Sequence, residues 1–205
     1  MPKIKLTKGE LKKKRDALKQ YERYLPTLQL KKQQLQLEIL QQVSALSEKK
    51  HIFEKKKESA LLWSGLLAEA GTTFNDWLIP WSVSTITKNV AGVDLPVFER
   101  ADFSEPEYDL FDTPLWIDFA LDALRTLESL GKEIEVAEKA ITILKHELRI
   151  TTQRVNLFEK IKIPEAQEAI RLIKIYIGDQ MTNAVGRSKI AKRKIEEEAF
   201  EVAVL

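Results

Sequence analysis

The sequence predicts a mainly α fold: a long antiparallel two-helix coiled-coil hairpin with a small β-hairpin-containing head between the helices. Two apolar seams at heptad spacing, one in each half of the chain, are the first observation. The second is a change of composition between them: residues 63–119 hold all four tryptophans and ten of the sixteen aromatic residues. The third is the balance of 31% charged against 8% aromatic residues, which suits long solvated helices better than a large compact core.

The first helix is expected from about residue 8 to 66. Thr7 has the chemistry of an N-cap, and Glu10 stands three residues on, where a capping box places its acidic partner. Leu11, Leu18, Tyr21, Leu25, Leu28, Leu35, Ile39, Leu46 and Phe53 then recur at coiled-coil spacing. Pro26 lies inside this seam and removes one backbone hydrogen bond. The seam continues through Leu28 and Leu35, so a bend near Tyr24 is expected, not a reversal.

The second seam is cleaner. Leu127, Ile134, Ile141, Leu148 and Val155 form one row, and Leu130, Ala137, Leu144, Thr151 and Phe158 the other. Gly131 should cost roughly 1 kcal/mol against alanine without breaking the helix. Pro164 marks a second expected bend. Apolar residues resume at Ile170, Ile173 and Ile177, after which Gly178 and Gly186 are expected to loosen the helix.

Between the seams, residues 82–87 are rich in β-branched side chains, Ala91-Gly92 can turn, and residues 93–98 read as extended around Pro96. A short β-hairpin follows, then an acidic, proline-punctuated loop over residues 102–113. The tryptophans read as core packing more readily than as a ligand site. The chain thus divides into an N-terminal long helix (1–66), an aromatic-rich head (67–114) and a C-terminal long helix with a projecting basic tail (115–205).

Neither seam can be buried alone, so the helices should pair antiparallel. Pairing outward from the head places residues 12–15 near residues 166–169. The first helix would be roughly 85–90 Å long at ~1.5 Å per residue, and the last ~25–30 residues of the second would run past its end.

Charge is distributed unevenly about a net of +2. Residues 1–20 carry eight Lys/Arg, and residues 187–194 carry Arg187, Lys189, Lys192, Arg193 and Lys194 with no acid. Residues 94–122 carry nine acids against Arg100 alone. The basic ends read either as solvated helix faces or as seats against an acidic protein surface. Nucleic acid is disfavoured, because only Tyr21 and Tyr24 offer aromatic faces nearby.

Catalytic chemistry is not expected. No phosphate loop or dinucleotide fingerprint occurs. His51 and His146 lie on different helices without metal-spaced partners, and there is no cysteine, so no cofactor and no metal are expected. Glu105/Glu107 and Glu196–Glu198 are carboxylate clusters without accompanying catalytic groups. No apolar stretch approaches the ~18–20 residues of a membrane span, and the basic N-terminus lacks an apolar core for a secretory signal, so a cytoplasmic location is expected.

Three stretches carry a family resemblance. Thr7-Lys8-Gly9-Glu10-Leu11 precedes the first long helix, Asn89-Val90-Ala91-Gly92-Val93 lies in the centre, and Arg154-Val155-Asn156-Leu157-Phe158-Glu159 is followed by Ile163-Pro164. In order and spacing these resemble the D subunit of V-type (vacuolar/archaeal-type) ATPases and ATP synthases. Gln153 in place of a second basic residue, Pro26, and the glycine-containing run at 178–183 suggest a divergent bacterial branch.

The resemblance implies a non-catalytic central rotor shaft. Its partners would be the catalytic-head A and B subunits, a small central-stalk F subunit and a membrane-side socket subunit, with no nucleic acid and no direct membrane insertion. The motif residues Asn89, Val90, Ala91, Gly92, Val93, Arg154 and Asn156, and the basic tail residues Arg187, Lys189, Lys192, Arg193 and Lys194, are the expected partner interface. Two other readings of a long helical hairpin are a prefoldin-like coiled-coil chaperone and a nucleic-acid-binding coiled-coil arm.

Overall fold

A computed structural model of the chain describes residues 5–68, 75–106 and 114–204, with side chains described through residue 197 except at residues 68, 75 and 76. Its elements in order are α1 (Lys8–Leu61), a 3₁₀ turn (Ser64–Ala68), a short α2 (Asn75–Leu78), β1 (Ser82–Val90), β2 (Val93–Asp102), α3 (Ile117–Leu157), a π turn (Phe158–Lys162) and α4 (Ile163–Val204). The expected fold class is therefore the one observed: among the described residues, two long helical segments flank a two-stranded antiparallel hairpin.

Helix α1 starts where Thr7 predicts. The Glu10 N–H donates to Thr7 Oγ1 at 3.3 Å, which satisfies one of the amides that a helix start leaves unpaired. The return arm of a capping box is not seen: Thr7 N–H donates to the Lys5 carbonyl, and the Glu10 carboxylate turns toward Lys14 at 3.9 Å. The α-helix runs through Pro26 without interruption and ends at Leu61, short of the expected residue 66, where the chain tightens into the 3₁₀ turn. Gly178 and Gly186 likewise do not interrupt α4.

By its internal contacts the chain forms two compact units, Leu30–Thr152 and Met1–Gln29 with Gln153–Leu205. In the first, Leu35 from α1, Leu95 from β2, and Ala140 and Leu144 from α3 make one buried cluster, with Ile39, Val90, Ala91, Val93 and Leu148 packed against it. The hairpin therefore lies along the helices instead of only capping them. This explains why Val136 and Ala140, outside the two heptad rows, are buried on α3. Ion pairs flank the α1–α3 seam: Lys31–Glu147 at 3.0 Å, Lys49–Glu133 at 2.7 Å and Lys50–Glu138 at 2.6 Å.

A second cluster, Ile117 and Leu121, gathers Leu67, Trp77, Leu78 and Trp116. Arg125 binds the surrounding segments to α3. Its Nε donates to the Trp77 carbonyl at 3.2 Å, its Nη2 donates to the Ser104 carbonyl at 2.6 Å, and its guanidinium lies 5.6 Å from the Phe103 ring centroid. The tryptophans are not all core: Trp81 is 74% exposed.

In the other unit, Tyr21 of α1 meets Phe158 with ring centroids 5.3 Å apart, a tilted aromatic pair. Val155, Ala166, Ala169, Ile170 and Ile173 are buried there. The π turn stands where the second bend was expected, immediately before Pro164. Ile163 N–H donates to the Phe158 carbonyl, five residues back instead of four. This wider turn takes up one extra residue. Continuing the heptads from Phe158 would place Leu172 in the seam, yet Leu172 is 40% exposed and Ile173 is fully buried.

Candidate partner-binding surfaces

The centre of the Asn89–Val93 motif is a two-residue hairpin turn. Ala91 and Gly92 have φ of 51° and 74°, both left-handed, as the tight turn matched to strand twist requires. Asn89 sets the turn with both ends of its amide. Its Oδ1 accepts from Gly92 N–H at 3.2 Å, and its Nδ2 donates to Asp94 Oδ1 at 2.6 Å. Val90, Ala91 and Val93 face inward onto the Leu35–Leu144 cluster. Packing of the Ala91 methyl offsets a left-handed conformation that costs an L-residue about 1–2 kcal/mol. Of the five expected interface residues here, Asn89 and Gly92 are exposed and the three apolar ones are half-buried. The motif's apolar positions thus dock the hairpin, and its polar edge remains open to a partner.

The hairpin is longer than expected, and its strands pair in register up to Ser84↔Arg100 and from Thr85↔Phe98. Glu99 is the extra residue of a bulge in β2. Pro96 is tolerated because each strand of a two-stranded sheet has a free edge.

Arg154 and Asn156 flank the buried Val155 and are exposed on the last turn of α3. They sit in the last turn before the π turn, each about 100° around the helix from Val155, one to either side of it. Arg187, Lys189, Lys192, Arg193 and Lys194 are all exposed on α4, beside the exposed Met181, Val185, Ile190 and Ile195. Lys192 pairs with Glu196 and Arg193 with Glu197, each at 3.5 Å and one turn apart. Such exposed pairs are worth a few tenths of a kcal/mol, so they do little to prevent these cations from turning to another acidic surface.

Asn89–Val93 belong to one unit, while Arg154, Asn156 and the basic tail belong to the other. Among the described residues no group of three His, Cys, Asp or Glu is placed to hold a metal ion. No helix there is long and apolar enough to cross a membrane. Shifted pKa values belong to surface pairs. Hydrogen bonding to Arg171 holds the Glu168 carboxyl below its ordinary value, and Glu168 raises Arg171 in turn. Hydrogen bonding to Glu135 raises Lys132.

One surface was not expected from the sequence. Leu30, Leu37 and Leu40 of α1 are each more than half exposed, on a second face beside the Leu28, Leu35 and Ile39 seam. The signal was present: Leu30 and Leu37 are themselves one heptad apart, and Glu38 is the only charge between residues 33 and 47. Leu62, Leu115 and Phe119 are also largely exposed, near the ends of α1 and α3.

Comparison with known proteins gives a consistent result. The family of ATP synthase D subunits matches residues 10–193. The V-type ATP synthase D subunit of Borreliella burgdorferi is 44% identical over 195 residues, covering 95% of this chain and 96% of the relative. The subunit of the same name from Chlamydia caviae is 35% identical over 201 residues, 97% of this chain and 96% of its own. That from Chlamydia trachomatis serovar L2 is 33% identical over 198 residues, 95% and 97% respectively.

Proposed function

Because the chain belongs to the ATP synthase D-subunit family, we propose that it is the central rotor shaft of a V-type ATPase or ATP synthase. It carries torque between a catalytic head of A and B subunits and a membrane ring that moves ions. It has no catalytic role of its own and lies on the cytoplasmic side, held to the membrane through the complex. A small F subunit binds alongside it, and a socket subunit receives it on the membrane side.

The observation that carries this reading is the closed seam between α1 and α3. Leu35 and Leu144 are fully buried in it, and three ion pairs cross beside it. A lone helix bends easily. Two helices locked by knobs-into-holes packing resist bending and twisting together, which a torque-bearing element needs. The exposed cations of α4 supply an electrostatic seat for an acidic lining in the head.

Co-purification of the tagged chain from its own cells tests this against its rivals. Recovery of A and B subunits carrying nucleotide-binding motifs is the expected result. Recovery of unfolded polypeptides would mark a chaperone. Nucleic acid released steeply by salt would mark a nucleic-acid arm. Calorimetry of the isolated chain with ATP should show no binding, since the chain lacks a phosphate cradle.

A further inference from the structure

The hairpin has two free edges, and they are not alike. A two-residue loop makes its flanking residues a hydrogen-bonded pair. Val90↔Val93 is therefore one such pair, and Lys88↔Leu95 and Ile86↔Val97 follow at the period of the antiparallel ladder. The pairs between them, Asn89↔Asp94, Thr87↔Pro96 and Thr85↔Phe98, turn their backbone groups outward. On the β2 side this outer row is broken. Pro96 stands in its middle without an N–H, and the Glu99 bulge follows Phe98. On the β1 side the row is whole: Thr85, Thr87 and Asn89 each present an N–H and a C=O, with no proline and no bulge between them.

Among the described residues nothing covers that row. Residues 85–89 are all exposed, and no backbone group outside the hairpin bonds to them. A long exposed edge of threonine and β-branched residues with one charge is of the kind that proteins ordinarily blunt. The one charge, Lys88, is exposed and enters no ion pair among the described residues. Against a strand added outside β1 it would stand in a non-hydrogen-bonded pair, where opposed side chains come closest. A carboxylate is the side chain that fits there. At the start of the strand, Trp81 is largely exposed beside Ile79 and Val83, an aromatic of the type that anchors interfaces. The edge lies on the flank of the helix pair, from Val83 beside Glu128 and Lys139 to Val90 beside Leu144, and it runs on into the open polar edge of the Asn89–Val93 motif.

We propose that β1 accepts an extended segment of a partner subunit as a third strand, bonded to Thr85, Thr87 and Asn89 and carrying an acidic residue opposite Lys88. In this mode backbone bonds supply affinity and the flanking side chains supply selection. The added strand occupies the edge and leaves the β1 side chains on the two faces of the sheet. The proposal rests on the shaft reading, which adds one constraint. A row of backbone bonds does not survive rotation against the A/B head, so the segment belongs to a subunit that turns with the shaft.

The experiment is residue-resolved hydrogen exchange on the free chain, on the purified complex and on the complex stripped of its A/B head. In the free chain the amides of Thr85, Thr87 and Asn89 should exchange fast, while those of Ile86, Lys88 and Val90 are slow. In both complexes the three outward amides should slow by at least about a hundredfold. Thr87→Pro removes the middle outward donor by the device that Pro96 uses on the other edge, and an extended backbone accommodates it. Ile86 and Lys88 should stay slow in the free variant, while Thr85 and Asn89 lose their protection in the complex. Lys88→Glu keeps every backbone group and should cut the protection about tenfold. Outward amides as fast in the complex as in the free chain would overturn the proposal, and so would protection that vanishes with the head. Full protection in either variant would overturn the acidic third strand. A chain that joins no complex would overturn the shaft reading and this proposal with it, whereas one that joins with unprotected amides overturns this proposal alone.

Discussion

Leu144 is fully buried against Leu35 and Leu95, whereas His146, two residues along α3, faces solvent. Leu144→Ala should therefore cost about 2–5 kcal/mol, the range for emptying a core leucine site. His146→Ala should stay within about 0.5 kcal/mol. Paired chemical denaturation curves measure both, and a larger effect at His146 would contradict the register of the seam. The glycines separate in the same way. An added methyl at Gly131 would rest 3.7 Å from the Phe53 ring, an ordinary contact, so Gly131→Ala should stabilise the chain by about 1 kcal/mol through helix propensity. Gly92 has open space around it but a φ of 74°, so Gly92→Ala should destabilise by about 1–2 kcal/mol through backbone strain alone. Thermal melts showing the same sign for both substitutions would refute this distinction. Leu144 could be placed from sequence because it repeats at heptad spacing. The inward turn of Val90, Ala91 and Val93 could not, because a hairpin's docking face depends on which helix it meets.

At the scale of elements, α1, α3 and the hairpin follow from local patterns: heptad rows, an N-cap threonine, and a turn at Ala91-Gly92. What local pattern does not contain is how the elements cross. The burial of Val136 and Ala140 comes from the hairpin lying along α3; they extend the i, i+4, i+8 stripe that ends at Leu144, outside the two heptad rows. The π turn was legible in principle, since the apolar rows re-enter at Ile170 and Ile173 one residue late, but a proline alone suggests a bend before it suggests an inserted residue. The end of α4 offers its own test. Residues 178–197 are exposed throughout, so this stretch has little tertiary packing to hold it and carries like charges at close helical spacing. In the free chain its amides should exchange rapidly, and deletion of residues 187–205 should leave the melting temperature nearly unchanged while weakening binding to the A/B head, most visibly at low salt, where the charges of the tail are least screened. Strong protection of this stretch, or unaltered head binding after deletion, would contradict its assignment as the electrostatic seat.

For the whole molecule, the sequence places basic residues toward both chain ends and acidic residues in the middle, an arrangement suited to different partners for the two compact units. The three motifs that suggested the family are spread over most of the chain, and the family match extends from residue 10 to 193. The roles of individual interface residues were less legible, because a partner surface leaves no periodic trace. Asn89 illustrates this: its amide is already engaged within the turn, and only the assembled complex defines what its exposed edge meets. The central claim is that this chain turns inside the head. The chain has no cysteine, so Thr87→Cys, at an exposed position of β1, gives a single attachment point for a bead. With the A/B head fixed to a surface and ATP supplied, the bead should rotate continuously in one direction and stop when ATP is removed. A bead that stays fixed while the head hydrolyses ATP would contradict the account.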